Sequence, residues 1–406
     1  MDDKDERHRR RQAIGLWLKG TRSQHILKRV RRSRAWFSKW RQRFRRYGPR
    51  GLNSRSRRPR RLARACAPRI VRLIVQTRRR LAKQSVGLIG PRAIRRELRQ
   101  LKLGRRLPSL TTIKRVLRVR GLVSAGPDPR PAYCPKSLTM VSGILHALDW
   151  TCRYLENGPK VYAFHTLNLR TRACAQTIAA DKSTPTVIVH VVNTWKTLGI
   201  PRFLQLDNDA AFCGGYKVPR VFGQFVRLCL YVGLELIFLP VAEPERNGEI
   251  EQLNRLWGHA FFDKRHFGSV QHVGRASSTF VQWYLTRYAP PYLGDQTPAQ
   301  AQRGEGRRRL TAGQLAQLPH PLPITAGRIH FIRQVAPQGT ISLLNETWTV
   351  GKRLAGKYVW ATITTHRRRL EIWYQRSAQQ DWQLRKAFTY DILETVARLK
   401  PEFARS

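Results

Sequence analysis

The sequence predicts a multidomain chain, with two all-α modules at the N-terminus, an α/β domain in the middle and a small β-barrel at the C-terminus. Apolar residues recur at helical spacing through most of residues 8–119. From residue 138 short apolar strands alternate with amphipathic helices, and beyond residue 325 short runs alternate apolar with polar residues. A chain of 406 residues accommodates about two to four domains, and 41% hydrophobic residues suffice for their cores.

Positive charge is concentrated in the N-terminal third of the chain. The net charge is +52 at pH 7, and residues 1–130 contain 42 Lys and Arg against 6 Asp and Glu, a balance of +36. No carboxylate occurs between Arg7 and Arg96. A folded stretch of this charge repels itself unless a polyanion neutralises it. Because apolar helical stripes run through the region, we predict nucleic-acid binding rather than a basic tail.

Residues 1–50 form the first predicted domain and have the pattern of three short helices. The first helix ends at Gly20, a capping box at residues 21–24 begins the second, and Ser33 is the predicted N-cap of the third. The third helix combines an apolar stripe with basic flanks, which is typical of the recognition helix of a helix-turn-helix domain. Any small three-helix bundle is the alternative. The predicted DNA contacts of this helix are Arg34, Lys39, Arg41, Arg43, Arg45 and Arg46.

A basic linker and a second helical module follow. Residues 51–64 contain turn formers and many arginines without periodicity, so we expect this linker to contact DNA phosphates. Residues 65–123 predict a second helix-turn-helix-like domain, with helices that begin near Pro68, at Gly90-Pro91 and at Ser109 or Thr111. The predicted DNA contacts are Arg55, Arg57, Arg58 and Arg60 in the linker and Lys114, Arg115 and Arg118 in the last helix.

The remaining domain boundaries are predicted from proline content and from the change in the spacing of apolar residues from helical to strand-like. Residues 124–137 contain four prolines and predict a linker. Residues 138–302 predict the order β-β-β-α-β-α-β-α, which is the order of an RNase H-like core. Residues 303–324 predict a polar linker, and residues 325–406 predict the small β-barrel.

Three acids of the predicted core lie where strands and helices meet. Asp149 is predicted at the end of the first strand, Asp207 at the end of the fourth, and Glu251 in the first turn of the following helix. Phosphodiester transfer needs divalent cations that neutralise charge on phosphorus and activate the attacking water or hydroxyl, and carboxylates that hold them. Hard oxygen ligands suit Mg²⁺ or Mn²⁺. We therefore predict that these three acids are catalytic and bind two such ions.

Each acid also has a purely structural interpretation. Asp149 could cap a turn, and Asp207 or Asp209 could be an Asx-turn residue, a role that Asp209 fits better. Glu249 and Glu251 both suit a helix N-terminus, but they lie about 200° apart around the helix axis. Only one of the two can therefore face the metals, and Glu251 is the predicted ligand.

Other polar residues of the core have less specific roles. The asparagines predicted to orient the acids or the DNA are Asn208, Asn247 and Asn254, with a cap or turn role as the alternative. The histidines His146, His165 and His190 are expected to be packed or solvent-facing rather than metal ligands. The six cysteines form no CxxC pair, which indicates reduced thiols, and no signal peptide or membrane span is apparent. These features together lead us to expect a cytoplasmic protein.

The motifs around these acids resemble those of a known family. Asp207-Asn208-Asp209 and the segment PERNGEIE, residues 244–251, are similar to the Asp-Asn-Gly and Pro-x-x-Asn-Gly-x-x-Glu motifs of integrase-like DDE transposases of bacterial insertion sequences, in the retroviral integrase superfamily. Two departures stand out. Asp209 replaces the usual Gly, and the 43 residues between Asp207 and Glu251 exceed the family's commonest spacing.

The resemblance extends to most of the chain and implies a function. Residues 33–59 and 90–122 look like the family's helix-turn-helix segments, and Trp283-Tyr284, Thr297-Pro298-Ala299 and the β-rich tail look like its end. The implied activity is cleavage at inverted-repeat ends and strand transfer. Its partners would be double-stranded DNA, as transposon ends and target, and further copies in a homo-multimer, without membrane or small-molecule substrate. A catalytically decayed DNA-binding regulator and an RNase H-like nuclease without joining activity are the alternatives.

Overall fold

The computed structural model of this chain describes residues 3–54, 66–101, 107–123, 140–156, 158–213, 220–306, 308–377 and 379–404. Four predicted DNA contacts, Arg55, Arg57, Arg58 and Arg60, lie outside the described residues, and so does the Pro-rich linker 124–137. The chain divides into two compact units, Met1–Pro68 and Arg69–Ser406. Within the described residues no helix combines the length and the apolar character that crossing a membrane requires.

The first unit is a small helical bundle. Its helices are α1 (Asp3–Leu18), α2 (Ser23–Val30) and α3 (Arg34–Tyr47), followed by a 3-10 helix at Gly48–Leu52. Ser33 caps α3 as predicted, because its hydroxyl accepts a hydrogen bond from the Trp36 backbone N–H at 3.2 Å. The predicted capping box before α2 does not form, since Arg22 is the N-cap and no side chain caps the helix. The core of the bundle is Ala13, Ile14, Ile26, Val30, Phe37, Trp40 and Leu52.

The second unit begins with three further helices, which start close to their predicted positions. They are α4 (Pro68–Ala82), α5 (Pro91–Gln100) and α6 (Leu110–Val119). The loop between α4 and α5 contacts the core of this unit, because the Gly87 N–H donates to the Ala260 carbonyl at 2.9 Å. Lys264 in turn donates to the Gly87 carbonyl at 2.7 Å. The loop between α4 and α5 is therefore attached to the α/β core by one backbone hydrogen bond and by one from the Lys264 side chain.

The elements of the α/β core are β1 (Leu145–Tyr154), β2 (Lys160–Asn168), β3 (Cys174–Ala179), α7 (Thr184–Thr197), β4 (Phe203–Leu206), α8 (Ala210–Cys213), α9 (Gln224–Tyr231), β5 (Glu235–Phe238), α10 (Gly248–Ala260) and α11 (Val270–Arg287). The strands and principal helices follow the predicted order, with one short extra helix, α8. Strands β1 and β2 and strands β2 and β3 are antiparallel, whereas β4 is parallel to β1 and β5 is parallel to β4. This is the arrangement of an RNase H-like core.

Helices cover both faces of this sheet. Leu148 and Phe164 face α7 and α9 and belong to the larger apolar cluster. Ala147 and Ala163 face the opposite side, where they join Trp257 of α10 in a second cluster. Because neighbouring residues along a strand point to opposite faces, β1 and β2 are buried on both sides. Any polar side chain on β1 or β2 beneath α10 therefore needs a partner inside the protein.

The C-terminal strands extend the core sheet. The elements of this part are α12 (Pro298–Ala301), α13 (Ala312–Ala316), β6 (Arg328–Gln334), β7 (Thr340–Leu343), β8 (Glu346–Thr349), β9 (Tyr358–Thr364), β10 (Arg369–Tyr374) and β11 (Gln383–Thr389). Strand β6 pairs in parallel with β5, β9 follows antiparallel to β6, and β10 and β11 complete a sheet whose described strands have the order β11-β10-β9-β6-β5-β4-β1-β2-β3. Strands β7 and β8 pair with each other in a separate sheet.

The small β-barrel predicted for residues 325–406 is therefore not confirmed, and its strands belong to the large mixed sheet. The prediction relied on several short runs that alternate apolar with polar residues, among them residues 329–331 around His330. Instead His330 and Arg333 are buried, and both have internal partners. His330 Nε2 donates to Glu235 at 2.9 Å, and the Arg333 guanidinium donates to the Leu239 carbonyl at 2.9 Å. A strand whose polar groups are satisfied in this way can be central in a sheet.

Candidate active site

Asp149 lies in the middle of β1 rather than at its end. The strand continues to Tyr154, beyond the end predicted from the apolar run. Asp149 is half-buried on the face covered by α10, and its partner across the antiparallel pair with β2 is His165. Its carboxylate accepts hydrogen bonds from the backbone N–H of Trp150 and from the side chain of Asn254, both at 2.8 Å.

Asp207 follows the last residue of β4, as predicted. The parallel register pairs Ala147 with Gln205, and continuing that register by two residues brings Asp149 opposite Asp207. The Asp207 carboxylate accepts a hydrogen bond from the Asp209 backbone N–H at 3.1 Å, which makes an Asx turn. The turn fixes the side chain at the end of the strand adjacent to β1.

Glu251 lies in the first turn of α10, where the sequence placed it. Asn254 follows three residues later, so the two side chains emerge on the same side of the helix. Because Asn254 contacts Asp149 directly, this side of α10 faces the acid on β1. The helix therefore directs Glu251 toward the other two carboxylates.

The pKa of Asp149 depends on the two other acids of the candidate site. Burial raises the pKa of Asp149 to about 7, the negative charges of Asp207 and Glu251 also raise it, and the hydrogen bonds from Trp150 and Asn254 lower it. Burial likewise raises the pKa of Asp207, against the opposing effects of the Asp209 amide and Lys182. The three separate elements thus bring their acids within electrostatic range of one another.

The donor chemistry of this place fits divalent cations. Within the part of the chain that the structure describes, the cations nearest this place pair with the neighbouring acids, Lys182 with Asp209 and Arg172 with Glu249, and neither Asp149 nor Glu251 forms an ion pair with a Lys or Arg. Carboxylate oxygens are ligands of Mg²⁺ and Mn²⁺. No three His, Cys, Asp or Glu side chains in the described part of the chain lie close enough to hold one common ion. The carboxylates of this site are thus of the kind that binds divalent cations, although no three of them are close enough to share one ion.

The neighbouring acids Asp209 and Glu249 have partners of their own. Asp209 forms an ion pair with Lys182 at 2.7 Å and accepts a hydrogen bond from the Ala211 backbone N–H at 2.9 Å. This geometry agrees with the Asx-turn role expected for it. Glu249 forms an ion pair with Arg172 at 2.5 Å and is half-exposed. Both acids are thus engaged away from the Asp149 carboxylate.

Of the three predicted orienting asparagines, Asn254 contacts one of the three acids, Asp149. Asn208 donates to the Leu239 carbonyl at 2.7 Å and accepts from Arg333 of β6 at 2.7 Å. Asn247 is buried and accepts from the Gln205 side chain at 3.1 Å, and it makes no side-chain cap to α10. Asn208 and Asn247 therefore hold loops in place.

Sequence reasoning missed two residues connected to the site. The amide oxygen of Asn254 is hydrogen-bonded to His165 at 2.7 Å, and His165 is hydrogen-bonded to Gln176 at 2.8 Å. The histidine is visible in the sequence, but only the strand register reveals that it lies opposite Asp149. Of the two environments expected for His146, His165 and His190, packed or solvent-facing, all three have the packed one, because they are buried.

The predicted DNA contacts of α3 surround aromatic rings. Arg34, Lys39, Arg45 and Arg46 are exposed, whereas Arg41 and Arg43 are half-buried. Lys39 and Arg43 lie over the Trp40 ring at 5.6 and 4.5 Å. A cavity of about 620 Å³ opens here, lined by Arg10, Trp36, Lys39, Trp40, Gln42, Arg43, Arg46, Tyr47 and Ser54. On α6 the three predicted contacts Lys114, Arg115 and Arg118 are all exposed.

A comparison with sequence families identifies the N-terminal region. Residues 23–80 match the family model described as the leucine-zipper of insertion element IS481. The chain resembles an integrase-like transposase of the IS481 kind. The match covers α2, α3 and most of α4, and it agrees with the resemblance to insertion-sequence transposases carried by the acidic motifs. No curated protein matches the chain.

Three solved retroviral integrase structures are similar to the chain. The HTLV-2 integrase catalytic core domain in complex with magnesium (trimeric form) has 15% identity and a TM-score of 0.30, covering 39% of this chain and 95% of that one. The simian T-cell lymphotropic virus intasome in complex with PP2A regulatory subunit B56 gamma has 14% identity and a TM-score of 0.35, covering 73% and 93%. The catalytic core domain of BIV integrase has 14% identity and a TM-score of 0.30, covering 38% and 91%. At these values, the RNase H-like assignment depends on the strand order and pairing of the chain itself.

Proposed function

We propose that the chain is a DDE transposase that hydrolyses DNA at inverted-repeat ends to expose a 3′-hydroxyl. That hydroxyl then attacks a phosphodiester of target DNA, which joins the end to the target and releases a target 3′-hydroxyl. The catalytic residues are Asp149, Asp207 and Glu251. The main support is that three separate elements bring Asp207 and Glu251 near enough to Asp149 for their negative charges to raise its pKa. The resemblance of residues 23–80 to an insertion-element family supports DNA integration in general.

The three acids would hold two Mg²⁺ or Mn²⁺ ions. When bound, such ions neutralise charge on the phosphorus and lower the pKa of the attacking water or hydroxyl. The chain contributes the carboxylates and their orientation. Asn254 donates to one oxygen of Asp149 and the Trp150 amide donates to the other, so the carboxylate is held from both sides. Because the pKa of Asp149 is about 7 in the cation-free protein, binding of the ions would release its remaining proton.

The basic helical regions would bind the DNA. We assign residues 1–50 and 65–123 to two helix-turn-helix-like modules joined by the basic linker, with the exposed cations of α3 and α6 on phosphates and base edges. The core at 138–302 would act on the DNA that these modules hold. Joining two transposon ends needs two active sites, so we assign a homo-multimer on DNA, acting on the nucleoid in the bacterial cytoplasm.

A strand-transfer assay tests this proposal. The substrate is the inverted repeats that flank the coding region, with Mg²⁺ or Mn²⁺, and the wild type is compared with Glu251→Gln and Asp149→Asn. Both variants are expected to retain end binding and to lose joined products, since each removes a carboxylate from the acidic site. Glu249→Gln is the matched control, because Glu249 lies in the same helical turn but pairs with Arg172. It is expected to join strands like the wild type.

Other outcomes distinguish the alternatives. Normal strand transfer by Glu251→Gln would overturn the assignment of the acids. End binding without cleavage, in both metals, would identify a DNA-binding regulator with a decayed core. Cleaved ends that are never joined to target DNA would identify an RNase H-like nuclease.

A further inference from the structure

Three polar side chains form one row across the first three strands of the core. In the antiparallel register, Asp149 on β1 lies directly opposite His165 on β2, and His165 lies directly opposite Gln176 on β3. Residues directly opposite each other in a sheet project from the same face. All three therefore point to the side covered by α10, which supplies Asn254.

Hydrogen bonds connect this row into a chain that ends at Asp149. Gln176 Nε2 is 2.8 Å from His165 Nε2, His165 Nδ1 is 2.7 Å from Asn254 Oδ1, and Asn254 Nδ2 is 2.8 Å from Asp149 Oδ2. The His165 side chain is completely buried, and the Trp257 ring lies edge-on to it at 5.9 Å. Water therefore cannot replace the Gln176 and Asn254 side chains as hydrogen-bond partners of the His165 ring.

The acid at the end of the chain sets the direction of every bond. An ionised carboxylate only accepts, so Asn254 must present its NH₂ group to Asp149 and its carbonyl oxygen to His165. His165 must then carry its proton on Nδ1, which leaves Nε2 as an acceptor for the Gln176 amide. A neutral His165 satisfies all three bonds, and burial lowers its pKa to about 4, which keeps it neutral.

We propose that His165 and Gln176 are positioning residues for the Asp149 carboxylate. His165 prevents the Asn254 amide from turning over, because the reversed amide would direct its oxygen at Asp149 and its NH₂ group at the Nδ1 proton of His165. The fixed amide then orients the carboxylate that is to hold a divalent cation. This inference rests on the proposed function, since it takes Asp149 as a metal ligand.

His190 provides a matched control within the same core. It is also completely buried, on α7, and its two ring nitrogens are hydrogen-bonded to the hydroxyls of Thr166 and Thr177 at 2.8 Å each. Neither of these threonines contacts Asp149 through a hydrogen bond in the described structure. Loss of His190 therefore reproduces the loss of a buried, doubly bonded histidine without interrupting the chain to Asp149.

Two measurements on the full chain test the positioning role. One is the Mg²⁺ dissociation constant fitted to the rise of Tm with Mg²⁺ concentration, and the other is the Mg²⁺ concentration that gives half-maximal strand transfer. Loss of a residue that orients a metal ligand typically weakens metal binding about tenfold or more. His165→Leu is therefore expected to raise both values about tenfold. His190→Leu is expected to lower Tm without metal but to keep the wild-type Mg²⁺ requirement.

Two further variants keep the test decisive if His165→Leu does not fold. His165→Asn retains an N–H donor close to the Nδ1 position, so it is expected to restore most of the Mg²⁺ affinity. Gln176→Leu removes only the hydrogen bond farthest from Asp149, so it is expected to raise the Mg²⁺ requirement less than His165→Leu does. An unchanged Mg²⁺ requirement in the folded variants, or an equal increase in His190→Leu, would overturn the positioning role.

Failure of this inference and failure of the proposed function give different results. If the wild type joins strands and the His165 and Gln176 variants keep its Mg²⁺ requirement, only the role of His165 is overturned. A wild type that Mg²⁺ stabilises but that joins no strands overturns the function, and the Tm comparison still decides the role of His165. A wild type with neither Mg²⁺ stabilisation nor strand transfer overturns both.

Discussion

The carboxyl of Asp149 binds its proton more tightly in the folded protein than in the unfolded chain. Its ordinary pKa of 3.8 is raised to about 7, first by burial and then by the charges of Asp207 and Glu251. Protonation therefore favours the folded state. The stability that this group contributes is complete below about pH 4 and is lost as the pH rises to about 7. Above that pH the cation-free site holds an unbalanced charge.

Substitution of Asp149 by Asn should therefore stabilise the cation-free protein at neutral pH. The amide cannot ionise, so the difference in unfolding free energy from the wild type should be small at pH 4, grow to at most about 4 kcal/mol at pH 7, and then level off. The measurement is urea unfolding of both proteins from pH 4 to pH 8 in the presence of a chelator. A difference that does not vary with pH would contradict the raised pKa of Asp149.

For single residues, the sequence indicated the positions of Asp207 and Glu251 and the orienting Asn254, but not the contact of His165 with the site. Asp207 and Glu251 could be predicted because each lies at an element end that its own local pattern reveals. His165 could not, because its contact with the site depends on which residue of β2 lies opposite Asp149. A register shift of one residue would place the same histidine on the other face of the sheet.

Strand β6 joins the core to the C-terminal strands through buried polar groups. The guanidinium of Arg333 donates to the carbonyls of Leu239 and Ser342 and to the side chain of Asn208, at 2.9, 3.1 and 2.7 Å. Asn208 directly follows Asp207. Arg333 thus secures the loop that presents the second acid of the proposed site.

Replacement of Arg333 by Lys should destabilise the protein. A single ammonium cannot reach the acceptors that the planar guanidinium reaches, so buried acceptors lose their donors, at a cost of about 2–4 kcal/mol. Arg328→Lys is the control on the same strand, because its side chain is half-exposed and pairs with Glu235, and it should cost less than about 1 kcal/mol. Urea unfolding of both variants measures the difference. Equal losses would show that Arg333 does not have the structural role described.

Local elements were predictable where a local signal exists. Ser33, Ser109 and the prolines at the starts of α4 and α5 mark helix ends in the sequence, and the structure has those ends. The partner of β6 has no such signal. It is β5, which lies far away in the sequence, and the buried His330 between Ile329 and Phe331 gave the strand a misleadingly alternating pattern.

Over the whole molecule, the uneven charge should make DNA binding strongly dependent on salt. Each cation that neutralises a phosphate contributes about −0.9 to the slope of log affinity against log salt concentration. We predict that the double substitution Lys114→Gln, Arg118→Gln makes the slope less steep by about 2, because both side chains are exposed on α6. The measurement is fluorescence anisotropy with a labelled transposon end at several salt concentrations.

Two exposed basic residues outside the helical modules provide a control for the loss of positive charge as such. Lys352 and Arg353 are exposed in a short 3-10 helix, so Lys352→Gln with Arg353→Gln removes the same charges elsewhere. This double variant is expected to retain the wild-type slope. An equal change of slope in both double variants would argue against a specific DNA contact by α6.

The pairing of β5 with β6 has a consequence for synthesis of the chain on the ribosome. His330 bonds to Glu235, 95 positions earlier in the sequence. At a translation rate of about 5–20 residues per second, β5 waits about 5–20 s for its neighbour to be made. During that interval its apolar edge lacks backbone partners and is open to aggregation with other nascent chains. Expression yield should therefore depend on chaperones that protect this edge until β6 emerges.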